Sequence, residues 1–182
     1  LDDPTLRITG PNVPRGQPRP ISKHDLTILL ARLPADLRRA TCLGAYAGCR
    51  ISEAASLDWS DIDREVNRIR VVGKGQKARL VGLSPLLLDE LLPDTGGNVV
   101  TGGGKVYTPG GLGSRINQAF RANGVESSFH SLRHRFGTFA LAGSGNLLAV
   151  SRAMGHAKPE TTAVYAAAMD SDLDVIAESV FR

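Results

Sequence analysis

Apolar residues recur at helical spacing along most of this chain, and the period changes to alternation once, in the run that ends near residue 83. Val66, Ile69, Val71 and Val72 form one arm, G-K-G-Q at 73–76 supplies a turn, and Leu80, Val81 and Leu83 return. One alternating pair makes a hairpin and no large sheet. The predicted class is therefore α+β: a mainly α-helical fold with a small antiparallel β-sheet, its hairpin at about 66–83.

The helices follow from their start and stop signals. Ser22 caps a first helix whose stripe is Leu26, Leu29, Leu30 and Leu33, and Pro34 ends it. A second runs over 36–47 until Gly48, leaving Arg50 at a corner before a short helix over 52–59. Ser84-Pro85 opens another through Leu92, and the glycine-rich 93–111 offers only a short strand at 106–107. Helices are predicted at 112–123, 131–142, 146–154, 159–168 and 172–181. A helix starting near His130 sets His130 and Arg133 one turn apart on a polar face, with Leu132, Phe136 and Phe139 on the core side.

With 182 residues, 42% of them hydrophobic, the chain holds one core. Prolines at 4, 11, 14, 18 and 20 make residues 1–20 the end of an interdomain linker, so 21–182 is the domain and the chain reads as a piece of a longer protein. The net charge of +4 is uneven. Residues 166–182 carry Asp170, Asp172, Asp174 and Glu178 against Arg182, which leaves a basic body suited to a polyanion, though an ordinary solvated surface has the same charge. Cys42 and Cys49 form no metal or disulfide pattern and predict free buried thiols in a reducing cytoplasm; no apolar run reaches membrane-spanning length.

Two site patterns are tested and fail. His130 and His134 have zinc-helix spacing, but Ser131 stands where a glutamate belongs and no third ligand follows. T-G-G-G-K-V at 101–106 lacks the Ser/Thr and the first glycine of a phosphate-binding loop. What remains is a polar set without a carboxylate, which suits an anion held by cations: Arg50, Lys74, His130, Arg133, His156 and Tyr165. Taken singly, each has an ordinary reading as a helix-end charge, a turn lysine, a cap or a half-buried ring.

Taken together, in order, they resemble a known family. G-C-R-I-S-E-A at 48–54, L-D-W-S-D-I-D at 57–63, V-G-K-G-Q-K-A-R at 72–79, H-S-L-R-H at 130–134, M-G-H at 154–156 and Tyr165 are similar to the motifs of the tyrosine recombinases, also called phage integrases. The resemblance implies the catalytic domain of a site-specific recombinase or integrase that cleaves and rejoins DNA through a 3′-phosphotyrosine. Arg50 and Arg133 would grip a phosphate, Tyr165 attack it, His130 act as base, Lys74 protonate the leaving oxygen and His156 bond a phosphate oxygen. Arg68, Arg70, Lys77 and Arg79 would be an exposed hairpin face touching DNA phosphates.

The same resemblance implies no metal and no cofactor, double-stranded DNA carrying a specific site as partner, a homotetramer on DNA and a monomer off it. It implies a prokaryotic cytoplasmic setting. Leu173, Val175, Ile176, Val180 and Phe181 make the acidic 166–182 tail amphipathic, and the sequence leaves open whether it docks on its own core or exchanges between protomers. A type IB topoisomerase-like nicking and rejoining enzyme shares the chemistry, and a decayed DNA-binding module would keep only the fold.

Overall fold

The structure, a computed structural model, describes residues 19–73, 75–92 and 96–156. Helix α1 (Lys23–Arg32) starts where the Ser22 hydroxyl accepts the Asp25 N–H at 2.9 Å, and stops at the extended Leu33 before Pro34. Helix α2 (Ala35–Ala47) ends on Gly48 at φ +62°. A Cβ there would lie 2.5 Å from Phe136 Cδ1, so both the backbone angle and the space require glycine. The turn sends Cys49 inward and makes Arg50 the N-cap of α3 (Ile51–Ser56).

A 3-10 turn (Trp59–Asp61) leads into a three-stranded antiparallel sheet, β1 (Ile62–Asp63), β2 (Arg68–Val72) and β3 (Ala78–Gly82), in that order. The β2–β3 hairpin lies within the span the alternation predicts; β1 is new, because two residues are too few to show a period. The register pairs Ile69 with Val81 and Val71 with Arg79 on the inner face, and Arg68 with Gly82 and Arg70 with Leu80 on the outer. Period two puts Ile69, Val71 and Val81 in the core and leaves Leu80 exposed.

Helix α4 (Pro85–Glu90) follows, then a two-residue ladder of β4 (Thr101–Gly102) with β5 (Lys105–Val106). Helix α5 (Pro109–Ala122) begins three residues before its predicted start because Thr108 caps it and Pro109 pre-sets the first turn. Helix α6 (Phe129–Ser144) is the longest, and α7 (Leu147–Met154) ends on Gly155 at φ +63°. The predicted helices at 159–168 and 172–181, and residues 1–18 of the linker, lie outside the described residues.

Helix α6 crosses α2 closely: a Cβ on Gly44 would come 3.0 Å from Leu132 Cβ. This contact is the middle of a core holding Leu29, Leu43, Ile69, Leu112, Phe120 and Leu132, each fully buried. Each such side chain contributes about 2 kcal/mol of apolar burial. A smaller cluster of Leu141, Val150 and Met154 joins α6 to α7. Phe139 departs from the predicted core face: it is 57% exposed, with the Arg135 guanidinium 4.2 Å from its ring centroid. At that turn α6 has run past the main core, and the cation covers one side of the ring.

Candidate active site

Glu53, on the first turn of the six-residue α3, is only 3% exposed. A buried carboxylate needs partners, and it has several. Arg79 donates to both oxygens, Nη1 to Oε1 and Nη2 to Oε2, each at 2.8 Å. Arg50 donates from its backbone N–H to Oε2 at 2.6 Å and from Nη1 to Oε1 at 2.8 Å. Arg133 Nη1 stands 4.0 Å from Oε2. Burial by itself would push the carboxyl up, but the bonds from Arg79 and Arg50 outweigh it and hold the pKa at about 2.

The C-terminal end of α7 supplies the other half. Arg133, buried to 2% exposure on α6, donates to the Gly48 carbonyl and, from Nη2, to the Met154 carbonyl at 2.5 Å. Arg50 Nη2 donates to the next carbonyl, Gly155, at 3.2 Å. Guanidiniums belong there, because helix-end carbonyls carry partial negative charge. Two arginines 83 positions apart in sequence thus reach consecutive carbonyls and one carboxylate. Three guanidiniums around one carboxylate leave two net positive charges, a site built for an anion. Arg50, its side chain 40% exposed, presents that charge to solvent.

The imidazoles sit in this field. Burial, then the Arg133 and Arg50 charges, lower the pKa of His130 below its usual value and bring His156 down to about 4. The His134 ring packs edge-on against His130, centroids 4.2 Å apart, and burial with His130 and Arg133 takes it to about 4 as well. At neutral pH all three rings are neutral and able to accept a proton. Cys49 lies fully buried beside Arg79, Glu53 and Arg133, and burial, outweighing the two guanidiniums, pushes its thiol up to about 12.

These shifts set the acid stability. With folded pKa values near 4 and an ordinary value of 6.5, the unfolded chain binds protons on His134 and His156 that the folded chain refuses. Their contribution is therefore complete above pH 6.5 and is lost as pH falls toward 4, with Glu53 adding a further loss from 4.5 toward 2. The thermal midpoint at pH 4 is expected to lie about 5 °C below that at pH 7, a figure already reduced for the half-exposure of both rings. Scanning calorimetry should show the drop shrink when both histidines become glutamine; an equal drop in that variant would contradict it.

Of the six residues singled out in the sequence, Arg50, His130, Arg133 and His156 come together; Lys74 and Tyr165 lie outside the described residues. On the hairpin, Arg68 and Lys77 are exposed, and Arg70 is exposed while paired with Asp61 at 3.1 Å. Arg79 corrects the expectation of an outward face. Its side chain is 9% exposed and points in, because it shares the inner face with Val81. Glu53 stands within the G-C-R-I-S-E-A motif, but its place between three arginines shows only in the fold. The described residues contain no group of three or more His, Cys, Asp or Glu placed to hold a metal, and no helix long and apolar enough to cross a membrane.

The phage integrase family model matches residues 21–98 and 107–172. A tyrosine recombinase XerC of Chlamydia caviae is 31% identical over 187 residues, covering 91% of this chain and 59% of the relative. The integrase of mycobacterium phage Brujita superposes with a TM-score of 0.69 at 28% identity, over 85% of this chain and 55% of that one. The catalytic domain of bacteriophage HP1 integrase does so with a TM-score of 0.65 at 26% identity, over 81% and 86%. The chain spans about three fifths of the length of the curated relatives it matches.

Proposed function

Because the chain belongs to the phage integrase family, we propose that it is the catalytic part of a site-specific recombinase that cuts and rejoins double-stranded DNA through a 3′-phosphotyrosine. The observation that supports this most is the meeting of Arg50 and Arg133 on the Met154 and Gly155 carbonyls beside Glu53. Such a doubly cationic site suits a phosphodiester, whose charge builds on its non-bridging oxygens in the five-coordinate transition state.

In the proposed reaction the Tyr165 oxygen attacks phosphorus and its proton passes to neutral His130. The bond from phosphorus to the 5′ oxygen breaks, and the Lys74 ammonium gives that oxygen a proton. Arg50 and Arg133 bear the charge of the phosphoryl oxygens, and His156 donates a hydrogen bond to one of them once its Nε2 or Nδ1 carries the hydrogen. Rejoining reverses these steps with the 5′-hydroxyl of another strand. The cations do the work of a metal, and the phosphotyrosine ester conserves the energy of the broken bond, so the scheme needs neither metal nor ATP.

Arg68 and Arg70 on the outer hairpin face, with the exposed Lys77 just before β3, would contact flanking phosphates, which position the duplex without reading its sequence. Exchange between two duplexes uses four cleavage events, so a homotetramer on DNA belongs to the proposal, with the chain monomeric off DNA. Whether the 166–182 tail packs in cis or passes to a neighbour is part of the same assembly. The test is capture: the 182-residue chain is incubated with a library of nicked duplexes of randomised core, and protein that migrates with DNA on a denaturing gel is digested and sequenced with its DNA. A phosphonucleotide on the peptide bearing Tyr165 is the expected result; no covalent adduct from any duplex would refute the assignment.

A further inference from the structure

The described part of the hairpin is joined to the arginine centre through its inner face. At the base, the paired Ile69 and Val81 pack into the core; on the next inward rung toward the tip, buried Val71 faces Arg79. Its guanidinium closes three bonds: two to Glu53, and Nε to the Ala153 carbonyl on the last turn of α7 at 2.7 Å. The same parts approach closely at two glycines. A Cβ on Gly73, the residue before Lys74, would lie 3.2 Å from Glu53 Oε1, and one on Gly155 would lie 3.1 Å from Arg79 Nη1.

We infer that Arg79 is a positioning residue for Lys74: it fixes the hairpin turn to the carboxylate that holds Arg50 and to the helix end that precedes His156. The inference rests on the function proposed above. Arg79 faces Glu53 and Ala153, away from the outer face where Arg68 and Arg70 lie, so it acts on the leaving group only through the turn it anchors. A planar fork that bonds two carboxylate oxygens and a carbonyl at once defines an angle; the point charge of a lysine in its place does not.

Leaving-group chemistry separates this role from a merely structural one. A 5′-bridging sulfur leaves as a stable thiolate and needs no proton from Lys74, whereas every other demand on the site is unchanged. The experiment measures single-turnover adduct formation by Arg79→Lys on a captured duplex and on the same duplex with bridging sulfur. The expected loss is about 10²-fold on the oxygen substrate, the range of a general-acid contribution, falling to about threefold on the sulfur substrate. Lys74→Ala should show the same pattern.

Gly73→Ala crowds Glu53 from the turn while keeping the Arg79 guanidinium in the chain, and should give the same rescue with a smaller loss. It decides the matter if Arg79→Lys does not fold, as judged by circular dichroism. Equal losses on both substrates, or no loss on the oxygen substrate, overturn the inference. If the unsubstituted chain forms no adduct with either substrate, the recombinase reading itself fails.

Discussion

Exchanging Tyr165 for phenylalanine is expected to abolish the covalent DNA adduct while changing duplex retention by less than about twofold. The substitution removes one oxygen and keeps the ring, so it deletes the proposed nucleophile and little else. In the proposed complex, phosphate affinity rests on cations that are untouched: Arg50 at the site and Arg68, Arg70 and Lys77 on the hairpin. Loss of a sole nucleophile leaves no residual path to a protein–DNA ester, so the fall should exceed about 10⁴-fold and reach the detection limit. A denaturing gel reads the adduct, and a gel shift at low salt reads retention. An adduct that persists in Tyr165→Phe would move the nucleophile elsewhere and undo the proposed chemistry.

The largest effect on stability is expected at Glu53. Changing it to alanine leaves Arg79 and Arg133, 9% and 3% exposed in their side chains, without the carboxylate that neutralises them. Removing one partner of a buried charge group costs about 3–5 kcal/mol, which for a chain of this size lowers the melting midpoint by about 10 °C. The companion Glu53→Met/Arg79→Met chain tests the reason. Taking away both charges spares the penalty of orphaning Arg79, while Arg133 keeps its bonds to the Gly48 and Met154 carbonyls, so the double variant should be less destabilised than Glu53→Met and Arg79→Met summed. Urea titrations of the four chains complete the cycle. A loss below about 1 kcal/mol for Glu53→Ala would mean that water reaches the guanidiniums and the pair behaves as a surface one.

Much of this architecture is legible before any coordinates. The Ser22 cap, the Pro34 and Gly48 stops and the alternation around Ile69, Val71 and Val81 each tie a local conformation to a residue type, and the structure keeps them. The misses have local causes too. Strands β1 and β4 are two-residue pairings fixed by tertiary contact, with no period to detect; β5 overlaps the short strand expected at 106–107. The start of α6 at Phe129 is set by Ser128 and Ser131, whose exchange of bonds begins the helix before the apolar stripe does.

The site was readable as a list and unreadable as a geometry. Arginine, lysine and histidine at the right order suggest an anion, but the role of Glu53 depends on residues 50, 79 and 133 meeting at one point, which only the fold decides. Arg79 carried its own clue, being in phase with buried Val81. Charge argued for the surface, and the register argued for the interior; the register prevailed because a carboxylate was waiting there.

Cys49 gives this arrangement a built-in indicator. With no exposed surface and a thiol held near pKa 12, its sulfur is shielded from alkylating reagents so long as the arginine cluster stays closed. Labelling of that one atom therefore clocks how often the centre breathes, and does so without any added fluorophore or engineered tag. Cys42, on α2 beneath a shallow pocket lined by Arg38 and Glu90, serves as a second thiol, away from the arginine cluster, against which that labelling is compared.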